Sequence, residues 1–502
     1  MRLPLIGGSY SSRSIIASAQ KCINYYSENN PKSAIIPLTH YQRPGLTPLF
    51  SHGPGPMRGL FRASDTVGYA VSGNQVFKIM PDNSQVDIGT IGTSTGPVAM
   101  ADNGVDLMLV DGSTTGYRTA LGSTTLATIT DSTDLFHGAT HVAYVDTYLL
   151  WNLPNSVYFG STLSNEINFD GLFYSGKVAY PDDLRALYVN RREIFLLGDV
   201  KSEVWYNVGP TATSAFPFQI LPGTYIEHGI AAPYSVSSHD INVYWLGRDL
   251  QGEGVVFTFR GYLTQRISNH ALEDAIRKMQ RTVGITDALG FAYTVDGHPF
   301  YMLTFPAGNQ TWVYDESIQD HTASWHQEAW TDPANGSINR HRASCMAFIN
   351  GVNCVGDWQN NTVYYMNLEQ YHDTVNGVNC PITCVRSFPH IGQARQAGTA
   401  NMAMVDGRRL QFSAFRADIE SGMGPLQTNG QPAQIILRWS DDRGRTFGTD
   451  VLQSNGAPGE YLTQPQWLGM GVARDRIFEV QHAIDGPAAL NGAWIDAEVL
   501  GT

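Results

Sequence analysis

The chain has 502 residues, of which 42% are hydrophobic and only 15% charged, with a formal net charge of −13 at pH 7. The charged fraction lies below the roughly 25% of ordinary soluble domains. This composition disfavours helical bundles and intrinsic disorder, and it favours short strands joined by glycine, asparagine and aspartate turns. The acidic balance disfavours high-affinity binding to nucleic acid, which requires a basic surface.

The first 55 residues contain no repeat and are interrupted by prolines and glycines, among them Pro4, Pro31 and Pro44-Gly45. We interpret residues 1–55 as an extended N-terminal arm that lies over the body of the protein or over a neighbour. The apolar run at the beginning of the chain is too short for a secretory signal. No stretch of 18 apolar residues occurs, so no membrane-spanning helix is expected, and the sequence predicts synthesis in a cytoplasm.

A strand-and-turn signal recurs through residues 56–372. A short apolar strand reaches a glycine or polar turn, and the strand that follows contains valine and then an aromatic residue. The units recur in steps of about 40 to 57 residues, close to the 40–50 residues of a four-stranded propeller blade. We therefore predict an all-β fold with a β-propeller of about seven blades. The pairs are Val76-Phe77, Val157-Tyr158, Val204-Trp205, Val256-Phe257, Val313-Tyr314 and Val363-Tyr364, with a weaker copy around Tyr117.

Two local signals stand out within this region. Asp296-Gly297 separates two apolar runs, a sequence typical of a tight β-hairpin. A helix is predicted over residues 271–279, because Ser268-Asn269 offers an N-cap. Glu273 and Asp274 would lie near the positive N-terminal end of that helix, where acidic side chains stabilise it. We expect the helix to lie between two blades.

Beyond Tyr371 the repeat stops, and residues 380–502 carry new strands that predict a separate β-sandwich-like domain. The sequence that begins at Ser440 resembles the Asp-box of sialidase propellers. We interpret it as a structural hairpin turn in which an aspartate accepts backbone N–H groups, a glycine permits positive φ and an aromatic ring anchors in the core. Its residues are Ser440, Asp442, Gly444, Thr446 and Phe447, where Phe447 replaces the usual tryptophan.

No metal site or cofactor site is predicted. His137 and His141 form an H-x-x-x-H pattern, but the glutamate of a zinc-protease helix is missing and Gly138 disfavours a helix. The chain has five cysteines. Cys380 and Cys384 have no second pair at zinc-ligand spacing, so we expect free thiols in a reducing compartment.

No catalytic residue is predicted either. Trp325-His326 and Trp330 are interpreted as strand aromatics, with a sugar-binding platform as the open alternative. Arg474-Asp475-Arg476 predicts a salt-bridged strand face rather than an active site. The carboxylates are scattered, and no pair is placed for glycoside hydrolysis.

Several segments together resemble the packaged-DNA stabilisation proteins, the tail accessory hub family of short-tailed bacteriophages. They lie at the beginning, in the middle and at the end of the chain, in the order expected for that family. The segments are LPLIGGSY from Leu3 and CINYY from Cys22, GYLTQRIS from Gly261, WSDD from Trp439, WLG from Trp467 and ARDRIF from Ala473.

The resemblance implies a structural virion protein of the tail. Such proteins assemble as a ring of six copies below the portal and its adaptor ring, extend the DNA channel, and help retain packaged DNA until the tail needle and tailspikes are in place. DNA would pass through that channel without specific binding. Two alternatives stay open: a sialidase-like propeller hydrolase or depolymerase, supported by the single Asp-box, and a receptor-binding tail protein.

Overall fold

The computed structural model describes residues 2–3, 7–31, 33–34, 36–131, 135–163, 169–210, 216–318, 324–392, 394–396, 403–405, 408–427 and 429–500. Within these ranges the regular structure is almost entirely β, with one α-helix and two short 3-10 turns, Gly171–Phe173 and Pro233–Ser235. The predicted all-β class is confirmed. In the described part of the chain, no helix is long and apolar enough to cross a membrane.

Seven four-stranded antiparallel sheets form the blades of a propeller. First strands of neighbouring blades lie against one another around the axis. One hydrophobic cluster fills the space between each pair of neighbouring blades, which gives seven clusters around the ring. The predicted propeller and its seven blades are therefore confirmed.

Each blade runs from its first strand at the axis to its fourth strand at the outside. Blade 1 consists of Met57–Arg62, Gly68–Ser72, Gln75–Ile79 and Gln85–Thr90. Blade 2 consists of Ala99–Asp102, Asp106–Val110, Gly116–Ala120 and Ala127–Thr128. Blade 3 consists of Val142–Val145, Tyr148–Asn152, Tyr158–Leu163 and Tyr174–Gly176. Blade 4 consists of Leu184–Asn190, Glu193–Gly198, Ser202–Asn207 and Phe218–Ile226.

The remaining three blades follow the same order. Blade 5 consists of Ser237–His239, Asn242–Arg248, Gly254–Arg260 and Leu263–Arg266. Blade 6 consists of Leu289–Val295, His298–Phe305, Gln310–Asp315 and Trp325–Gln327. Blade 7 consists of Ala343–Ile349, Val352–Asp357, Thr362–Asn367 and Gly45–Ser51.

The valine–aromatic pairs lie in the third strands of the blades, except that Val157 comes just before the third strand of blade 3. Successive side chains of a strand point to opposite faces. In blade 1, Val76 therefore packs towards blade 2 while Phe77 packs towards blade 7. Blades 4 to 7 repeat this arrangement. Blade 3 differs, because Tyr158 opens its strand and is 51% exposed, and Phe159 takes the buried position. The repeat in the sequence reflects how neighbouring blades pack.

Blade 7 is completed by a strand from the N-terminal region. Gly45–Ser51 pairs antiparallel with Thr362–Asn367, so main-chain hydrogen bonds close the ring. This placement differs from the expected extended arm over residues 1–55. The physical reason for the pairing is that the third strand of blade 7, without Gly45–Ser51 beside it, would expose a row of unpaired N–H and C=O groups.

The C-terminal domain consists of two packed sheets. The first has the order Gln466–Leu468, Leu410–Ile419, Leu490–Val499, Leu38–Gln42 and Tyr25–Asn29, with Arg2–Leu3 and Val472–Ala473 at its sides. The second has the order Cys22–Ile23, Cys384–Ser387, Asp475–His482, Gln434–Ser440 and Val451–Ser454, with Ile391–Gly392 beside it. Side chains from both sheets share one core. The predicted β-sandwich is confirmed, and it takes strands from the N-terminal region that the sequence analysis assigned to an arm.

The second sheet of the sandwich is continuous with blade 6. Its strand Cys22–Ile23 pairs in parallel with the fourth strand of that blade, Trp325–Gln327. Four short hairpins complete the described strands. They are Tyr10–Ser11 with Ala19–Gln20, Ala329–Thr331 with Ile338–Arg340, His372–Val375 with Val378–Pro381, and Ala394–Gln396 with Ala403–Val405.

The predicted helix is confirmed as α1, His270–Thr282, between blades 5 and 6. The Asn269 side chain caps it by accepting a hydrogen bond from Leu272 N at 2.9 Å. Leu272 and Ile276 are fully buried in the cluster between those blades, so burial of one apolar face holds the helix in place.

The predicted hairpin in blade 6 is confirmed as well. Asp296 and Gly297 have φ of 50° and 78°, the left-handed conformation that a two-residue hairpin turn requires.

Candidate functional site

The turn Pro233–Ser235, which precedes blade 5, contacts two other parts of the propeller. On one side, the Pro233 carbonyl accepts a hydrogen bond from His141 Nε2 at 3.1 Å, and the rings of Tyr234 and His141 stack at 4.7 Å. On the other side, Tyr301 of blade 6 donates a hydrogen bond to the Ser235 carbonyl at 2.6 Å. This turn therefore links the residues just before blade 3 with the second strand of blade 6.

The structure does not bring His137 and His141 together as a metal site. His137 is exposed, whereas His141 is buried against Tyr234. Burial lowers the pKa of His141 to about 4, so its ring is neutral at physiological pH. Among the residues that the structure describes, no group of three or more histidine, cysteine, aspartate or glutamate side chains could hold a metal ion.

The tryptophans considered as a sugar platform are packed inside the protein. Trp325 is fully buried between blades 5 and 6, and its Nε1 donates to the Ile267 carbonyl at 2.7 Å. Trp330 is also buried, with the Arg342 guanidinium 4.7 Å from its ring centroid. A platform made of these two rings is excluded, because neither presents a face to a ligand.

A buried carboxylate beside His326 was not recognised in the sequence. Glu328 lies 3.8 Å from Nε2 of both His326 and His341, and all three side chains are buried. Burial alone would raise the pKa of Glu328, but its interactions with His326, His341 and Arg43 hold it below its usual range. Because Glu328 and His341 are well separated in the sequence, a search for short motifs does not find this cluster.

A second buried polar cluster joins the two domains at Arg43. Its guanidinium contacts both oxygens of Asp373, at 3.0 and 2.6 Å, and donates from Nε to Asn24 Oδ1 at 3.0 Å. Asn24 in turn donates to the Thr383 carbonyl at 2.7 Å and accepts from Ala329 N at 2.7 Å. Buried charges require this degree of pairing, so the cluster fixes the N-terminal region against both the propeller and the C-terminal domain.

Two neighbouring tyrosines couple the domains in a second way. Tyr25 is buried in the sandwich core, and its hydroxyl lies 2.5 Å from Nε2 of His482. Tyr26 points to the other face of the strand and packs between blades 6 and 7, with its ring 5.8 Å from that of Phe300. The strand Tyr25–Asn29 therefore lies between the two domains and contributes to both cores.

In the Asp-box turn, Asp442 accepts hydrogen bonds from within the turn. It accepts from Thr446 Oγ1 at 2.6 Å, from Arg445 N at 3.0 Å and from Ser440 Oγ at 2.7 Å. The side-chain hydrogen bond of Thr446, followed by the others, lowers the pKa of Asp442 well below its usual range. A carboxylate saturated in this way stabilises the loop and is not free to act on a substrate.

The Asp-box turn packs against the N-terminal region. Gly444 has φ of 87°, and a Cβ at that position would lie 3.1 Å from Cβ of Ala19 and 3.2 Å from Cγ2 of Ile15. Phe447, expected in the core, is instead half-buried, with the cationic groups of Lys21 and Arg438 at 5.4 and 5.3 Å from its ring centroid. The core position is not available to this ring because the sandwich core is already filled by side chains of the two sheets.

The run Arg474-Asp475-Arg476 supplies ion pairs. Arg476 is buried and makes a bidentate contact with Asp441, at 2.6 and 2.8 Å. Asp475 lies 2.8 Å from Nδ1 of His390, and that hydrogen bond raises the pKa of His390. The pair of Arg476 with Asp441 ties the strand Asp475–His482 to the Asp-box turn.

The five cysteines are free thiols. Burial raises the pKa of Cys22 and of Cys354 to about 11 and that of Cys345 to about 12. Such thiols stay protonated at neutral pH and are poor nucleophiles.

Comparisons with known proteins give two matching family models. The first, described as bacteriophage P22 Gp10, β-propeller, matches residues 1–371, and the second, described as bacteriophage P22 Gp10, β-sandwich, matches residues 398–498. No curated protein matches the chain. Among solved structures, the WD40 β-propeller domain of Doa1 is similar at 10% identity, with a TM-score of 0.38 over 65% of this chain and 97% of that one.

Proposed function

Because the chain belongs to the bacteriophage P22 Gp10 family and is thus a structural hub protein of the phage tail, we propose that it assembles as a ring of six copies. The ring continues the DNA channel of the portal, below the portal's adaptor ring. The observation that carries this proposal is that the two family models match residues 1–371 and 398–498, in the order propeller and then sandwich.

We propose that the DNA channel runs between the copies and not through a propeller. The turn Pro233–Ser235 supports this, because its contacts with His141 and Tyr301 bridge the non-adjacent blades 3 and 6 of the single propeller. Residues 56–372 and 380–502 then act as two rigid units, joined by the N-terminal region 1–55. The strand Tyr25–Asn29 supports this joining role of the N-terminal region, because it contributes to both cores.

Retention of DNA in this proposal is mechanical. The tail needle and tailspikes plug the lower end, and the loops that face the channel are acidic or polar, so that DNA slides past on ejection. The net charge of −13 supports a channel of low affinity, since basic contacts repeated around a ring would retard DNA. The chain is made in the host cytoplasm and incorporated into the virion tail.

We also propose that the chain has no catalytic activity. Asp442 of the Asp-box, the feature that suggested a sialidase-like hydrolase, is saturated by its own turn, and Trp325 and Trp330, considered for a sugar platform, are buried. Assays on sialosides and host polysaccharide are expected to show no turnover. Turnover that is lost when a carboxylate is substituted would contradict this.

Electron microscopy of tails assembled with and without the chain tests the hub assignment. The expected result is a six-fold ring between the adaptor ring and the tailspikes, and loss of packaged DNA from particles that lack it. Binding of the purified chain to bacterial cells, without other tail proteins, would favour a receptor-binding protein instead.

Binding to duplex DNA tests the nature of the channel. We expect no detectable binding at about 150 mM salt, the physiological ionic strength. A basic DNA-binding protein of similar mass is the positive control. Clear binding that strengthens steeply as salt is lowered would contradict a channel without affinity.

A further inference from the structure

A loop of the sandwich presents two apolar side chains to solvent. Leu462 is 98% exposed and Tyr461 is 66% exposed, at the tip of the loop that follows the strand Val451–Ser454. Two adjacent apolar side chains displayed in this way form a surface that a partner can cover. We call Tyr461-Leu462 the knob.

The loop that carries the knob is held in place by hydrogen bonds to the neighbouring segment at Ser421 and Gly422. Gly459 N donates to the Gly422 carbonyl at 3.0 Å, and Ser421 Oγ donates to the Thr463 carbonyl at 2.5 Å. A Cβ at Gly422 would lie 2.8 Å from the main chain of Glu460, so the two segments are in close contact. The knob is therefore pre-organised, and little ordering entropy is lost when it is covered.

A concave site lies elsewhere on the sandwich, where the N-terminal region packs on the Asp-box turn. Its cavity of about 500 Å³ is lined by Arg13, Ser14, Ile15, Ile16 and Arg445. Ile15 and Ile16 are 38% and 46% exposed, so two partly exposed isoleucines form the apolar part of the cavity beside two guanidinium groups. We call these five residues the pocket.

The knob and the pocket lie at opposite ends of one strand, Gln434–Ser440. Asn455 N donates to the Ala433 carbonyl at 2.8 Å, which fixes the knob loop at the start of that strand. Arg445 belongs to the turn that follows the end of the strand at Ser440. The seven residues of this strand, at about 3.3 Å each, place its two ends roughly 20 Å apart. The knob cannot reach the pocket of its own chain.

On the basis of the proposed ring, we propose that the knob of one copy seats in the pocket of the next copy. Leu462 and Tyr461 cover the two isoleucines, and the carboxylate of Glu460, beside the knob, meets Arg13 and Arg445. The two surfaces are complementary in both polarity and charge. Because the contact joins two different surfaces head to tail, its repetition closes a ring when the rotation between copies closes.

Incorporation into tails tests this contact. Tails are assembled with Leu462→Asp in the knob, with Ile16→Asp in the pocket, or with the control Leu250→Asp, whose leucine is 83% exposed in a propeller turn. We expect about ten-fold lower incorporation of the knob and pocket variants and normal incorporation of the control. Equal melting temperatures of the purified variants exclude misfolding as the cause.

Mixing the two defective variants tests whether the contact is head to tail. Leu462→Asp keeps an intact pocket and Ile16→Asp keeps an intact knob, so the mixture is expected to form one-to-one pairs that cannot grow. Each variant alone is expected to stay monomeric by mass photometry.

Normal incorporation of Leu462→Asp would overturn the proposal, and so would the absence of pairs in the mixture. A ring that forms normally from Leu462→Asp but fails to take up another tail protein would assign the knob to that protein and overturn the contact between copies. If the wild-type chain itself is absent from tails, the proposed function fails instead.

Discussion

The propeller and the sandwich use the chain in opposite ways. Blades 1 to 6 are each made from one continuous stretch of sequence, so nearly every strand pair is a local hairpin. The sandwich combines Cys22–Ile23, Tyr25–Asn29 and Leu38–Gln42 with strands that follow them by more than 340 residues. Local pairing involves little loop-closure entropy, whereas the sandwich can form only after distant parts of the chain have met.

This difference makes the N-terminal region the shared element of the molecule. Residues of one short segment pack into the sandwich core, into the propeller and into the buried polar cluster around Arg43. A substitution in that segment should therefore destabilise one domain more than the other, depending on which core the side chain enters.

The largest expected effect comes from the two neighbouring tyrosines. Tyr25→Ala should destabilise the sandwich and Tyr26→Ala the propeller, each by about 3–5 kcal/mol, because each removes a buried aromatic ring from a different core. Hydrogen exchange resolved by segment measures which strands lose protection. Loss of protection in the same strands for both variants would show that the two domains unfold as one unit.

The next effect concerns the charge pair that joins the domains. Asp373→Asn should lower the free energy of unfolding by about 3–4 kcal/mol, because the buried Arg43 guanidinium loses the carboxylate that pairs with it directly. The matched control is Asp240→Asn, which removes an exposed partner of Arg191 between two blades and should cost less than about 1 kcal/mol. Denaturant unfolding of both variants measures the two losses of unfolding free energy. Equal losses would contradict a stabilising role of the buried ion pair.

Acid should weaken the sandwich through His482. Burial lowers the pKa of His482 from 6.5 to about 4, so the unfolded chain binds a proton at higher pH than the folded chain does. The free energy of unfolding is therefore expected to fall as the pH drops below about 6.5 and to level off below about 4, by about 3 kcal/mol for this group. His482→Gln should flatten that part of the stability profile of the sandwich, while His141→Gln should act on the propeller. An unchanged profile for His482→Gln would contradict this cause.

The smallest effect is expected at the Asp-box turn. Gly444→Val should cost about 1–3 kcal/mol, because φ of 87° is strained for a branched residue. Gly448→Val in the same turn is the control, since a Cβ there meets only the Trp439 carbonyl at an ordinary 3.6 Å. The two melting temperatures are compared, and a drop of equal size in both would remove the special role of Gly444.

The sequence predicted the propeller well because its signal is local and repeated. A third strand such as Gln75–Ile79 must present alternate side chains to two neighbouring blades. The adjacent apolar residues Val76 and Phe77 meet that requirement, and they are visible in the sequence as a pair. The helix α1 and the hairpin at Asp296-Gly297 were predictable for the same reason, since an N-cap and a tight turn depend on nearby residues.

The sites of the protein were less predictable, because their residues are brought together from distant parts of the chain. Glu328 and His341, or Arg43 and Asp373, carry no spacing that marks them as partners. Phe447 was expected in the core because of its type, yet its surroundings are the cations Lys21 and Arg438, which no motif displays.

By itself the sequence determined the all-β class, the number of blades and the turns, since strand alternation and turn chemistry are properties of neighbouring residues. Only the tertiary structure decided where the N-terminal region goes. The open edge of blade 7 takes Gly45–Ser51, and the sandwich takes Tyr25–Asn29 and Leu38–Gln42. That choice depends on which unpaired strand edges and apolar faces remain once the local hairpins have formed, and it is made by packing across hundreds of residues.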